Sequence, residues 1–412
     1  KIKQIVPPDQ IAVYSASAMA QLDSNGMAGM LQARLKGRRV SSKQLPLGLN
    51  TMPADFINAY VLGNVGVTGA NAGACATFLY NLRLAVDDIQ QGKRKVVIVG
   101  NSEAPLEPEI IEGYAAMSAL ATDANLSKIS SNGITDHRTA SRPFGQNCGF
   151  VLGESSQYIV LMDDKLAIEL GANIHGAVTE VFTSADGYKR SISAPGPGNV
   201  ITLAKAVANA IANFGADVVR SRSFVQAHGS STPQNRVTES KILSDIADSF
   251  GIKNWPVTAI KAFVGHSLAP ASADQLINSL GILKHKILPG IKTTKSIADD
   301  VEQKNLSFCL YDTDLKDSAD IGFLNSKGFG GNNATGTVLS PSLTKKMLSN
   351  RYGKNCIDQY EKINHVIADS AIKYDSDCFE NGFTPIYEFG KQVTGNEKLT
   401  VQANKLYVPG YN

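Results

Sequence analysis

Thr68-Gly69-Ala70-Asn71-Ala72-Gly73-Ala74-Cys75-Ala76-Thr77-Phe78-Leu79 ends a short apolar run and opens a helix-periodic one, with one cysteine at the junction. Small residues let the backbone bend sharply there and let other groups approach closely. The dipole and free N–H groups of a helix N-terminus favour negative charge, so a thiol in this position is a candidate nucleophile. A free cysteine is also commonly a small core side chain, and this segment alone leaves both readings open.

Working outward, strand-like and helix-like patterns alternate. Upstream are a strand at Ile11–Ser15, helices at Met27–Leu35 and Ala54–Leu62, and a short strand at Val65–Thr68. Cys75–Ile89 reads as a helix with Leu79, Leu82, Ala85 and Ile89 on one face, and Lys95–Gly100 as a strand covered on both sides. After a loop-rich stretch, Asp123–Gln146, come strands at Gly149–Gly153, Gln157–Met162 and Ile174–Phe182. Helices at Thr202–Phe214, Thr238–Phe250 and Ala271–Leu283 then interleave with strands at Ser223–Ala227 and Val257–Ile260. Strands at Ile321–Asn325 and Ala334–Leu339 close the series around a glycine-rich turn. This order predicts an α/β protein of two similar halves, 1–160 and 161–340, followed by an appended region, 341–412. A helix is expected at Cys356–Ile372, then an irregular, aromatic end.

Composition narrows the function classes. The 412 residues are 43% apolar and 19% charged, as in an ordinary globular protein. A net charge of +3 gives no case for nucleic-acid binding, and no apolar run approaches the length of a membrane span. Five cysteines without paired spacing argue against a disulfide framework or a zinc site and for a reducing, cytoplasmic setting. The start, Lys1-Ile2-Lys3, carries no methionine and no signal peptide, and reads as part of a longer chain.

Two of the six histidines sit at strand ends. His228 lies in Ala227-His228-Gly229-Ser230-Ser231-Thr232-Pro233, and His266 in Lys261-Ala262-Phe263-Val264-Gly265-His266. Strand ends are where open α/β sheets bind ligands. The turn Asn325-Ser326-Lys327-Gly328-Phe329-Gly330-Gly331-Asn332-Asn333 lacks the spacing of a phosphate loop and instead offers backbone N–H groups to an oxyanion. Neither GxSxG nor HExxH occurs, which leaves serine-hydrolase and zinc-protease readings without support.

In this order the motifs resemble the elongating, decarboxylating β-ketoacyl-acyl carrier protein synthases: a cysteine at a strand-to-helix turn, AHGSSTP, K-x4-GH and GFGGNN. Ala140-Ser141-Arg142-Pro143-Phe144 and Gly149-Phe150-Val151-Leu152-Gly153 also resemble that family, and the likeness runs over roughly 10–340. The resemblance implies a thiolase-like five-layered αβαβα sandwich, normally a homodimer. Cys75 would carry the acyl group. His228 and His266 would stabilise the enolate left when a malonyl thioester loses carbon dioxide, with Lys261 tuning them and Glu239 bracing Lys261. Phe329 would supply an oxyanion-hole N–H, and Ser230 and Thr232 would bind the pantetheine arm, with Asn333 in the glycine turn as a secondary site residue. Acyl carrier protein is the implied partner, with acyl and malonyl thioesters as substrates and no free cofactor or metal.

The chain also departs from that pattern. Pro270 enters the turn after His266, Gln275 replaces a usual glutamate, Lys327 an aromatic residue and Arg236 an acid. Phe78 and Met19 are bulky, which reads either as a fit to short primers or as core packing, and the whole pattern resembles a divergent subgroup able to start from acetyl-coenzyme A. Arg34-Leu35-Lys36-Gly37-Arg38-Arg39 is the densest basic run, and either docks an acidic carrier protein or is solvated surface. The family carries about a hundred residues before Ile11, and without them a sheet edge is expected to lie bare. A thiolase working on free coenzyme A, a non-catalytic chain-length-factor-like subunit and a scaffold module are the competing readings.

Overall fold

The computed structural model describes residues 2–130, 133–192, 194–383 and 398–409. Its first half runs α1 (Ile2–Ile5), β1 (Ile11–Ser15), α2 (Met27–Leu35), α3 (Gln44–Leu47), α4 (Met52–Phe56), β2 (Val67–Gly69), α5 (Thr77–Gln90), β3 (Val96–Glu103), α6 (Pro108–Ala116), α7 (Asp123–Ile129) and β4 (Ser155–Met162). After α8 (Asp164–Glu169) follow β5 (Ala177–Ala185), α9 (Gly198–Phe214), α10 (Ala216–Arg222), β6 (Ser223–Gln226), α11 (Pro233–Phe250), β7 (Trp255–Thr258), α12 (Lys261–Val264) and α13 (Ala271–His285). The chain continues through β8 (Ile287–Leu288), β9 (Leu306–Phe308), β10 (Thr313–Asp314), β11 (Ile321–Gly328) and β12 (Asn332–Leu339). It ends in α14 (Pro341–Tyr352), α15 (Lys354–Asn381) and a small hairpin, β13 (Thr400–Gln402) and β14 (Lys405–Tyr407).

Two mixed sheets result. The first has the order β2-β1-β3-β4, with β4 antiparallel to its neighbour; the second has β5-β12-β11-β6-β7-β9, with β12 antiparallel to both neighbours. The halves correspond. A helix follows the second parallel strand in each (α5 after β2, α13 after β7), and an antiparallel strand pairs with the last parallel strand of each (β4 on β3, β12 on β11).

α5 and α13 share one apolar core with the inner faces of both sheets. Phe78, Leu79, Leu82, Leu276 and Leu283 are fully buried there with Val97, Val99, Leu324 and Val338. A second core, with Leu203, Val207, Trp255, Phe323 and Leu339, lies under α9 and α11 on the outer face of the second sheet. Burial of this kind contributes about 25 cal/mol per Å² of apolar surface, which makes these two layers the main source of stability. Phe78 is thus a core residue of the central layer.

Some elements differ from the sequence reading. Gly149–Gly153 is not a strand but makes single bridges, Leu120 to Phe150 and Leu152 to His266, because Gly149 and Gly153 press on the backbone of Leu120 and Val264, where no Cβ fits. Asp123–Ile129, read as loop, is a helix started by Asp123 in its first turn. Much of the irregular, aromatic end falls outside the described residues. Leu82 and Leu84 test the central layer: Leu82→Ala should lower unfolding free energy by about 2–5 kcal/mol. Leu84→Ala, at a position 37% exposed, should cost under about 1 kcal/mol by the same denaturant titration.

Candidate active site

The turn after β6, the turn before α13, the tip of the β11–β12 hairpin and the loop before α5 meet at one place. Cys75 lies in a single tight turn, Ala74–Ala76, that leads into α5, and Ala74 takes a left-handed φ of +50° to make the bend. The tip of the β11–β12 hairpin docks on this turn. Ser326 Oγ donates to the Cys75 carbonyl at 3.1 Å, and a Cβ on Gly328 would lie 2.3 Å from the Gly73 carbonyl oxygen, so only glycine fits. The backbone N–H groups of Phe329 and of Cys75 itself point at the sulfur.

His228 follows β6, and its turn is gripped from two sides. Glu239 accepts the N–H of His228 at 2.7 Å and of Gly229 at 2.9 Å, while Lys261 Nζ donates to the His228 carbonyl at 2.7 Å. Glu239 also takes Asn325 Nδ2 and Asn235 Nδ2. Both Glu239 and Lys261 hold the backbone of the His228 turn; among the described residues no hydrogen bond joins them, and the Glu239 carboxylate acts on Lys261 through its charge. His266 is fixed by its N–H to the Val151 carbonyl at 2.7 Å and by its own carbonyl, which accepts from Gly153 N–H.

The ring nitrogens are set by backbone donors. Lys327 N–H donates to His228 Nδ1 at 3.4 Å, and Leu268 N–H to His266 Nδ1 at 3.2 Å. Each Nδ1 must keep its lone pair to accept, so each Nε2 carries the proton. Burial holds both imidazoles well below their ordinary pKa, helped by the nearby Lys261 charge, so both are neutral Nε2–H donors. Lys261 itself is lowered to about 8 by burial, against the pull of Cys75, Glu239 and Asp274.

Burial also pushes the Cys75 thiol up to about 11, outweighing the lowering by Lys261 and by the Phe329 and Cys75 N–H groups. The expected ease of ionisation at a helix start is thus overturned in the resting protein. The apolar cost of burying a thiolate exceeds the help from dipole and donors.

Sequence reasoning missed the aromatic wall. Tyr114 of α6 stacks on Phe329 at 6.2 Å and meets Phe150 edge-on at 5.3 Å; Phe150 contacts His266 at 5.1 Å, and the two histidine rings lie 5.5 Å apart. Tyr114 OH reaches Met19 Sδ at 3.8 Å, so Met19 borders this wall. No local pattern in α6 marks Tyr114. Glu103 was also missed; it accepts from Ser17 Oγ and from the N–H groups of Ala18 and Met19, fixing the loop that carries Met19.

Of the other named residues, Ser230 Oγ and Thr232 Oγ1 lie 3.2 Å apart on the His228 turn, and Thr232 caps α11. Asn333 Nδ2 donates to Asp186 Oδ1 and the Gly331 carbonyl, which ties the glycine turn to the loop after β5. Gln275 Nε2 meets three carbonyls, those of Gln226, Ala227 and Asn325, and so joins β6 to β11 beneath His228. Arg236 pairs with Asp300 and donates to the carbonyls of Gly145 and Asn147, a structural use of that position. A cavity of about 980 Å³, lined among others by Ser17, Met52, Phe56, Glu103 and Tyr158, has none of Cys75, His228 or His266 in its lining.

Two measurements follow from these protonation states. Alkylation of Cys75 by iodoacetamide should rise about tenfold per pH unit between pH 7 and 9, the thiol ionising only near 11; a plateau below pH 8 would contradict the assignment. The buried histidines take up protons near 6.5 only when unfolded. Their contribution to stability is therefore full above that pH and is lost below it, by about 1.4 kcal/mol per pH unit for each. His228→Asn should flatten the acid limb of a melting-temperature profile.

Comparison with known proteins places this geometry. Residues 3–167 match the family described as beta-ketoacyl synthase, N-terminal domain, and residues 175–294 match its C-terminal domain, together more than half of the chain. The chain is 58% identical over 407 residues to the beta-ketoacyl-[acyl-carrier-protein] synthase FabY of Pseudomonas aeruginosa, covering 99% of this chain and 64% of that protein. It therefore spans a little under two thirds of the length of that relative. It is 29% identical over 335 residues to 3-oxoacyl-[acyl-carrier-protein] synthase 2 of Staphylococcus aureus, covering 79% of this chain and 76% of that one. A crystal structure of the ketosynthase FabY from P. aeruginosa superposes with a TM-score of 0.98 over 100% of this chain and 64% of that one. A beta-ketoacyl synthase from Burkholderia phymatum, 21% identical, shares the fold with a TM-score of 0.67 over 82% of this chain and 76% of that one. The chain belongs to the β-ketoacyl synthase family and has its thiolase-like α/β fold.

Proposed function

We propose that this protein is a β-ketoacyl-acyl carrier protein synthase of fatty-acid or related biosynthesis, catalysing decarboxylative Claisen condensation of an acyl thioester with a malonyl thioester. The observation that carries this reading is the pair of neutral Nε2–H donors, His228 and His266, each fixed by a backbone N–H at Nδ1, in one ring of side chains with the Cys75 oxyanion hole.

In the first step Cys75 Sγ attacks the acyl thioester carbonyl. The oxyanion is held by the N–H groups of Cys75 and Phe329, the C–S bond breaks, and the thiol proton leaves with the pantetheine sulfur. In the second step the malonyl C–C bond breaks, carbon dioxide departs, and the electron pair becomes an enolate whose oxygen accepts from the two Nε2–H groups. A neutral donor suits this step: an imidazolium would hold the malonyl carboxylate itself and stabilise the reactant. In the third step the enolate carbon attacks the acyl-cysteine carbonyl, the C–S bond breaks, and the thiolate takes up a proton.

Supporting positions have matching roles in this reading. Lys261 and Glu239 keep the His228 turn in place, and Ser230 and Thr232 present hydroxyls to the pantetheine arm; the substrates bring that arm, so no free cofactor is required. Acyl carrier protein docks on the exposed Arg34, Lys36, Arg38 and Arg39, where an acidic partner would find complementary charge. Met19 against Tyr114 limits the space beside Cys75, which fits a short primer such as an acetyl thioester. The protein works as a homodimer, for which the outer edge of β2 is available among the described residues. No described helix is long and apolar enough to cross a membrane, in keeping with a cytoplasmic synthase.

Carbon dioxide release from malonyl-acyl carrier protein tests the reading. His228→Ala and His266→Ala should each lower it by ~10²–10³ with Cys75 alkylation unchanged. Unaltered release in both variants would remove them from enolate stabilisation.

A further inference from the structure

The Lys327 side chain has no part in the steps above, yet this residue reaches two neighbours at once. Its backbone N–H donates to His228 Nδ1 at 3.4 Å, and its Nζ donates to Thr238 Oγ1 on α11 at 3.0 Å. The Thr238 hydroxyl gives its own proton to the Gln234 carbonyl at 3.0 Å, so a lone pair faces the ammonium.

The two histidines differ in where the donor to Nδ1 comes from. His266 is served by Leu268, two residues along in the same turn, so the turn itself sets the distance. His228 is served from β11, 99 residues away in sequence, so its donor is in place only when the β11–β12 tip is. At 3.4 Å this bond is near the limit of a useful hydrogen bond, and a shift of a few tenths of an ångström would end it. The ring could then take either tautomer, and the Nδ1–H form offers no proton at Nε2. Neighbouring residues of α11 hold both partners of this bond. Glu239 grips the His228 backbone, and Thr238 grips Lys327.

We propose that Lys327 is a positioning residue for the condensation: its ammonium, fastened to Thr238, holds the hairpin tip against α11 and so keeps the Lys327 N–H on His228 Nδ1. The inference rests on the proposed role of His228 as an Nε2–H donor. The ammonium has a second effect of the same sign. With Lys261 and the His266 ring it disfavours an imidazolium at His228, while Glu239 lies under the turn; at His266 the acting charge is Lys261. Glu239 and Asp186 in turn help to keep Lys327 charged against its burial.

The test uses the full-length protein with ¹⁵N-labelled histidine at about pH 8, above the range in which free imidazole titrates. Ring-nitrogen spectra tell a protonated from an unprotonated nitrogen, and His228→Asn and His266→Asn assign the two signals. The wild type should show the Nε2–H form at both. Lys327→Met and Thr238→Val should each give mixed tautomers at His228 with His266 unchanged, whereas Lys327→Arg and Thr238→Ser should keep the wild-type signal. Carbon dioxide release from malonyl-acyl carrier protein should fall about fivefold to tenfold in Lys327→Met, a part of the ~10²–10³ that a lost donor costs, and recover in Lys327→Arg. A pure Nε2–H form at His228 in both Lys327→Met and Thr238→Val would overturn the proposal. So would equal changes at both histidines, which would mean general loosening. Thr238→Val exchanges only a hydroxyl for a methyl and carries the test alone if Lys327→Met does not fold. The tautomer is read on the resting protein, so its outcome is separate from whether the wild type releases carbon dioxide, which tests the proposed function.

Discussion

The burial of α5 and α13 between the two sheets is the constraint on which the rest depends. Each helix shows apolar side chains to both sheets, so neither can shift without opening the core shared by Leu79, Leu82, Leu276 and Leu283. Their starting turns are fixed in consequence. One presents Cys75, the other follows His266, and the β11–β12 tip closes over the Cys75 turn through Ser326 and Gly328. The site is thus built on rigid elements with the reactive groups at their ends, where backbone N–H groups are free to act on a ligand.

The same burial sets the protonation states. A thiol raised to about 11 beside two neutral imidazoles leaves the reacting groups uncharged at rest, with Lys261, itself lowered to about 8, and Lys327 as the neighbouring positive groups that act on His228. In the proposed reaction charge would appear only as it develops, with the donors already in place for it. The grip of Glu239 and Lys261 on the His228 turn matters for this reason: an Nε2–H that wandered by an ångström would lose most of its value to an oxyanion.

Much of this was legible because the informative features are local. The cysteine turn, the AHGSSTP turn, Lys261 with His266 and the GFGG turn each declare themselves within a few residues, since a tight turn needs glycine and a strand end needs an apolar run before it. What was not legible depends on distance. Tyr114 and Phe150 gain their meaning from rings contributed by other elements, and Gln275 from three carbonyls on two strands. Gly149–Gly153 has strand composition, but the backbone of Leu120 and Val264 passes too close for a ladder to form. The upward shift of Cys75 is likewise a property of the whole shell around it, which a helix-start argument cannot supply.

The central claim is that Cys75 becomes the acyl carrier. Intact-protein mass spectrometry after incubation with acetyl-coenzyme A or acyl-acyl carrier protein tests it most directly. The account predicts one acyl mass per chain, located on Cys75, lost in Cys75→Ala and discharged on adding malonyl-acyl carrier protein. An acyl mass retained in Cys75→Ala, or no acyl mass with any primer on a folded protein, would contradict it.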